Sequence, residues 1–202
     1  MTRRVVLPSR SRVPARAKKG RTKTKSGALS RWFLAQARHS LREQHLPRII
    51  GCLRTLSEAQ IWWRPHPTSN SVGNLVLHLA GNVRQWIVCG LGGEQDRRER
   101  EKEFSEPGPL SRRFLIGHVE SAVAAADRVL RSLSPADLAR AYRIQGFRVT
   151  GLSAIAHVTE HFAHHAGQII YATKLRRGVD LGFTHLPGEK AKSARASRLS
   201  QY

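Results

Sequence analysis

Residues 150–178 read TGLSAIAHVTEHFAHHAGQIIYATKLRRG, and this stretch decides the fold. Thr150 is a helix-capping residue type, Gly178 a helix-stopping one, and no proline lies between them, so one long helix is expected, running through Leu175. Its histidines His157, His161 and His165 recur every four residues, which turns each only ~40° from the last and sets all three on one stripe. His164 points ~100° away from His165. Two imidazoles at i and i+4 can reach a single ion because their nitrogens converge above one helical turn. His157 and His165 are ~12 Å apart along the axis, too far to share an ion at ~2 Å per bond. A metal held by an HxxxH pair here needs a further ligand from another helix.

Upstream, Ser69, Asn70 or Ser71 can cap a second helix running to about Cys89 and stopping at the glycine-rich GLGG. Its stripe Leu75, His78, Leu79, Asn82 and Trp86 is apolar enough to face a core, so His78 is a core-facing imidazole. A lone buried histidine is more often a hydrogen-bonded core residue than a ligand. A metal ion, however, would satisfy several converging neutral imidazoles at once. Two further helices complete the set. Leu29, Phe33, Ala37, Leu41, Ile49, Leu53 and Leu56 give a helical rhythm over 28–57, kinked at Pro47. Phe114, Leu115, Val119, Val123, Ala126 and Leu130 give another from Ser111 to Leu133, ended by SPAD. Between helices 2 and 3, EQDRREREKEFSEPGPLS alternates in charge and then carries prolines; it reads as a solvated loop with room for one helical turn and without chemistry. Residues 138–149 read as extended or irregular. The fold class is therefore all-α, an antiparallel four-helix bundle over residues 28–185.

The formal charge of +21 is concentrated at the ends. Residues 1–27 hold ten Lys or Arg and no acid, and residues 186–202 hold four against one Glu, leaving +8 on the body. The N-terminal stretch has almost no large apolar residues, so it is expected to be a disordered basic tail, with a flexible basic C-terminal tail at 186–202. Nucleic acid is disfavoured as a partner except weakly through the basic tail, since the body has no reading motif. No run approaches the ~20 apolar residues of a membrane span, and the expected location is cytoplasmic. Cys52 and Cys89 lack CxxC spacing and read as reduced, buried small residues.

The stretches IWWRPHPTSNSVGNLVLHLAGNVRQWI, residues 61–87, and HVTEHFAHHAGQIIYATKL, residues 157–175, resemble the DinB/YfiT-like superfamily of helical-bundle metalloproteins, with compatible spacing across 29–184. The resemblance implies that one helix-2 histidine and an HxxxH pair followed by xGQ bind the metal, which maps onto His78, His161 and His165. It leaves His157 and His164 outside the site and says nothing of the basic tails. It implies a divalent ion, Zn²⁺ or Ni²⁺, and a metal-dependent enzyme, foremost a thiol-dependent S-transferase acting on a small electrophile. The alternatives are a metal-dependent hydrolase and a non-catalytic, metal-stapled binding module. The expected partners are a small-molecule thiol or other small substrate, with a homodimer open to it. Three histidine ligands leave a coordination position free, as catalytic sites do. Asn74, Asn82, Trp86 and Gln168 lie near the site stripe as residues that orient a ligand or line a pocket, although each has an ordinary packing role as its simpler reading. Trp62 and Trp63 are further pocket candidates, Glu160 points off the stripe, and no general base is evident.

Overall fold

The computed structural model describes residues 20–183, with side chains from Gly27 onward. The chain is mostly helical. Helix α1 (Gly20–His39) passes through a π-helical stretch, Ser40–His45, into α2 (Leu46–Thr55). Pro47 falls in the first turn of α2, directly after the π-helical stretch, and the helical arm continues through it. α1 starts at Gly20, ahead of the boundary read at residue 28; Arg, Lys and Thr extend a helix at little cost once later turns are anchored by packing. Residues 1–19 and 186–202, expected to be basic tails, lie outside the described residues.

After α3 (Glu58–Trp62), Ser71 caps α4 (Val72–Val83) in a capping box with Asn74. A second π-helical stretch, Arg84–Cys89, continues α4 to Gly90. The charged segment that follows contains α5 (Arg100–Ser105). Ser111 caps α6 (Arg112–Ser132), and SPAD, expected only to end that helix, opens α7 (Pro135–Ala139) with a Ser134–Asp137 capping box. Residues expected to be extended or irregular form an antiparallel hairpin of β1 (Ala141–Ile144) and β2 (Phe147–Thr150). Gln145 and Gly146 make its two-residue turn at φ 52° and 84°, the left-handed conformations such a turn requires. α8 (Gly151–Arg177) is capped by the Thr150 side chain and stopped by Gly178 at φ 59°.

The core lies where α2, α4, α6 and α8 pack against one another. Ile49 and Leu53, Val76 and Leu79, Leu115 and Leu130, and Ile155 and Phe162 are fully buried there. Each such side chain stabilises the fold by roughly 1.5–3 kcal/mol relative to exposure. Two expected core residues are on the surface instead: Leu29 is 67% exposed and Phe114 49%. Leu29 stands ~140° around the helix from Leu34, which takes the inward position, and Phe114 ~100° from the buried Leu115. Among the described residues no helix is long and apolar enough to cross a membrane.

Candidate metal centre

α4 and α8 pack face to face, and the packing joins their histidines. His78, inside the apolar stripe of α4, is only 5% exposed; His161 and His165 on α8 are half-buried. His161 Nε2 lies 3.0 Å from His78 Nε2 and 3.2 Å from His165 Nε2. All three ligand atoms fall within 4.8 Å of one another, a set that can hold a metal ion. It is the one group of three or more His, Cys, Asp or Glu so arranged among the described residues.

The outer ring nitrogens are held from behind. His165 Nδ1 is 2.6 Å from Gln168 Oε1, one helical turn on. Gln168 also reaches His164 at 3.2 Å, so its amide is fixed from both sides. His78 Nδ1 is 2.9 Å from Glu103 Oε2. Glu103 is gripped by Arg98 through two bonds of 2.7 Å, Nε to Oε1 and Nη2 to Oε2, with side-chain exposures of only 6% for Arg98 and 11% for Glu103. Burial alone would raise the Glu103 carboxyl, but hydrogen bonds and charge from Arg98 and His78 outweigh it and hold the group below its ordinary range. His161 Nδ1 is buried with no hydrogen-bond partner among the described residues, which directs that ring's polar contacts into the cluster. Burial, then the neighbouring imidazoles, push His161 down to about 3; burial likewise lowers His165. Both rings are therefore neutral near pH 7, the form a metal binds.

The charged segment read as a loop without chemistry thus supplies the carboxylate behind His78, a correction to that reading. Its alternating charges carry no periodicity, and a contact with a helix 25 positions back leaves no local mark. One faint signal exists. Gly81 lies one turn beyond His78, and a Cβ built there would collide with Glu103 Oε1, so only glycine lets the carboxylate lie against α4.

The other candidates have distinct places. Asn74 faces the segment that carries Glu103: its Nδ2 donates to the carbonyls of Glu103 at 3.0 Å and Glu106 at 2.9 Å, and its Oδ1 accepts from Arg64 at 2.9 Å. Asn82 is buried, with no hydrogen-bond partner for Oδ1 among the described residues. Trp86 lies 4.1 Å from the His157 ring, its Nε1 likewise without a partner there. Burial lowers His157, whose centroid is 5.5 Å from that of His161, at the margin of the cluster. Trp62 donates to Leu110 O at 3.1 Å and packs on Gly73. Trp63, beneath the Arg176 guanidinium at 4.5 Å, lines a surface cavity of about 310 Å³ with Leu75 and Gln168. Glu160 is exposed, and Cys52 and Cys89 are free thiols, buried and half-buried.

The chain is mostly helical, and its fold is DinB-like on comparison with a solved structure. The structure is similar to the crystal structure of a DinB-like protein from Bacillus cereus ATCC 10987, with a TM-score of 0.56 and 17% sequence identity, over 73% of this chain and 92% of that one. The chain belongs to the family described as "Protein of unknown function (DUF1572)", whose model matches residues 28–189. A search of curated proteins finds no match.

Proposed function

We propose that His78, His161 and His165 hold a divalent ion, Zn²⁺ or Ni²⁺, and that the protein is a metal-dependent enzyme transferring a small thiol to a small electrophile. The convergence of the three Nε2 atoms carries this reading. Nitrogens ~2 Å from one tetrahedral ion stand ~3.3 Å apart, close to the 3.0 and 3.2 Å separations around His161. A neutral ring nitrogen offers one proton or one lone pair, so hydrogen bonds alone leave this trio poorly satisfied, whereas an ion accepts a lone pair from each.

When bound, such an ion acidifies a thiol or water in its free coordination position. The absence of a fourth His, Cys, Asp or Glu from the cluster, among the described residues, supports an open rather than a closed site. Glu103 is on the far side of the His78 ring and engaged by Arg98, so neither a ligand role nor a general-base role fits it. The cavity shared by Trp63, Leu75 and Gln168 offers a small molecule a mixed polar and apolar lining next to the residue that holds His165. In the reaction the sulfur bonds to the electrophilic carbon, the leaving group departs with its electron pair, and the thiol proton passes to solvent. Hydrolysis at the same site is the alternative.

The test is metal content read beside thiol transfer and circular dichroism, for the wild type with and without chelator. Loss of transfer with the ion while helicity and cooperative unfolding persist is expected. Loss of cooperative unfolding together with the ion would assign it a stapling role and defeat the transferase reading.

A further inference from the structure

The segment between α4 and α6 has a role in the centre that no motif announces. We propose that Glu103, clamped by Arg98, is a positioning residue that fixes His78 as the Nδ1–H tautomer and so presents its Nε2 lone pair to the ion. The inference rests on the metal reading above.

His78 Nδ1 has two charged neighbours that demand opposite things. Glu103 Oε2, at 2.9 Å, accepts a proton; Arg98 Nη2, at 3.1 Å, only donates. If Arg98 prevailed, Nδ1 would carry the lone pair and Nε2 the proton, pointing N–H into the cluster and closing it to a metal. Three observations favour Glu103. Its contact is the shorter one. Arg98 Nη2 already donates to Glu103 Oε2 at 2.7 Å and has the His78 carbonyl at 3.4 Å for its other proton. And His161 Nε2 stands 3.0 Å in front of His78 Nε2, beside His165 Nε2, so a free lone pair there completes the ligand set.

The surroundings hold this carboxylate in register. Asn74 binds the backbone carbonyls of Glu103 and Glu106, Gly81 leaves the space Glu103 fills, and the Phe104 ring covers His78 at 4.6 Å. The Glu103 charge draws on the Nδ1 proton and makes Nε2 a stronger donor, while Arg98 shares that charge and moderates the effect. A segment distant in sequence thereby tunes an ion it does not touch.

Nitrogen-15 correlation spectra of the histidine rings near neutral pH, with and without Zn²⁺, test this directly, alongside Zn²⁺ affinity for wild type, Glu103→Gln and Arg98→Met. Metal-free wild-type His78 should show Nδ1 protonated and Nε2 free. Glu103→Gln should lower Zn²⁺ affinity ~10–100-fold and mix the His78 tautomers, with His165 unchanged; a purely structural role would leave the tautomer alone. Arg98→Met should keep Nδ1 protonated. Finding His78 as Nε2–H in the metal-free wild type overturns the proposal even if a variant fails to fold, as does a folded Glu103→Gln chain within twofold of wild-type affinity. If Zn²⁺ moves none of the three rings while His78 is Nδ1–H, the metal reading falls and the tautomer assignment stands.

Discussion

Two carboxylates in this molecule, one buried and one nearly so, are clamped by arginine, and they end in opposite conditions. Asp127 on α6 takes Arg38 Nε at 2.6 Å, Arg42 Nη1 at 3.1 Å and Arg131 Nε at 2.8 Å. Every group it meets is a donor, so the network closes on itself and ties α1 and the π-helical stretch to α6. Glu103 gives both oxygens to Arg98 but shares Oε2 with His78, whose other face opens onto two more imidazoles. The first network has nothing left to bind; the second ends in three ring nitrogens with too few protons and lone pairs to satisfy one another. A polar cluster that closes on itself serves architecture, whereas one that converges without closing leaves groups that could hold an ion.

Substitutions at the two ends should therefore dissociate. His161→Ala removes the nitrogen shared by both contacts, and Zn²⁺ affinity should fall by more than ~100-fold, beyond the usual effect of an outer partner, with helicity retained. Metal analysis beside circular dichroism checks it. Asp127→Ala leaves three guanidinium groups without their shared carboxylate, the least exposed of them, Arg38, only partly buried, and should lower stability by about 1–2 kcal/mol, roughly 2–8 °C in melting temperature, without changing Zn²⁺ affinity. A metal-affinity loss in the Asp127 variant would erase the distinction between the two ends.

Acid should separate them as well. His161 in the fold protonates at about 3, against roughly 6.5 in the unfolded chain, so between those values the unfolded state binds more protons. Its contribution is intact above ~6.5 and declines as pH falls toward 3. Asp127 is buried, but Arg38 and Arg131 outweigh that and hold its carboxyl below the ordinary range; its contribution is present above about 4 and lost as pH falls through the folded value. In chelated protein, melting temperature should thus decline first through the histidine window and then more steeply below about pH 4. His161→Gln should flatten the first part and Asp127→Asn the second.

Smaller effects sharpen the picture. Gly81→Ala pushes a methyl into Glu103 and should weaken Zn²⁺ binding several-fold, with little change in stability if the exposed rim of α5 shifts to absorb it. Removing residues 1–19, the part of the 1–27 stretch read as a basic tail that lies ahead of α1, should leave both melting temperature and metal affinity within error.

Much of this was legible in the chain, for reasons that are local. Helix geometry alone aligns His161 with His165, and Ser71, Thr150 and Gly178 act on the turns beside them, so these helix ends follow from neighbouring residues. The apolar stripe around His78 identified its buried face because burial repeats with the helical period. Leu29 and Phe114 misled for the same reason: each is apolar, but Leu34, five positions on, and Leu115, the next residue, stand nearer the centre of the stripe and take the inward places. What tertiary structure alone decided is long-range. The meeting of His78 with His161 spans 83 positions, and that of His78 with Glu103 spans 25, through a segment with no period at all. Contacts of that kind depend on which faces pack and what a single glycine leaves vacant. The residue types able to bind an ion were therefore legible in the chain, while their spacing, their outer partners and the protons they carry follow from how the helices come together.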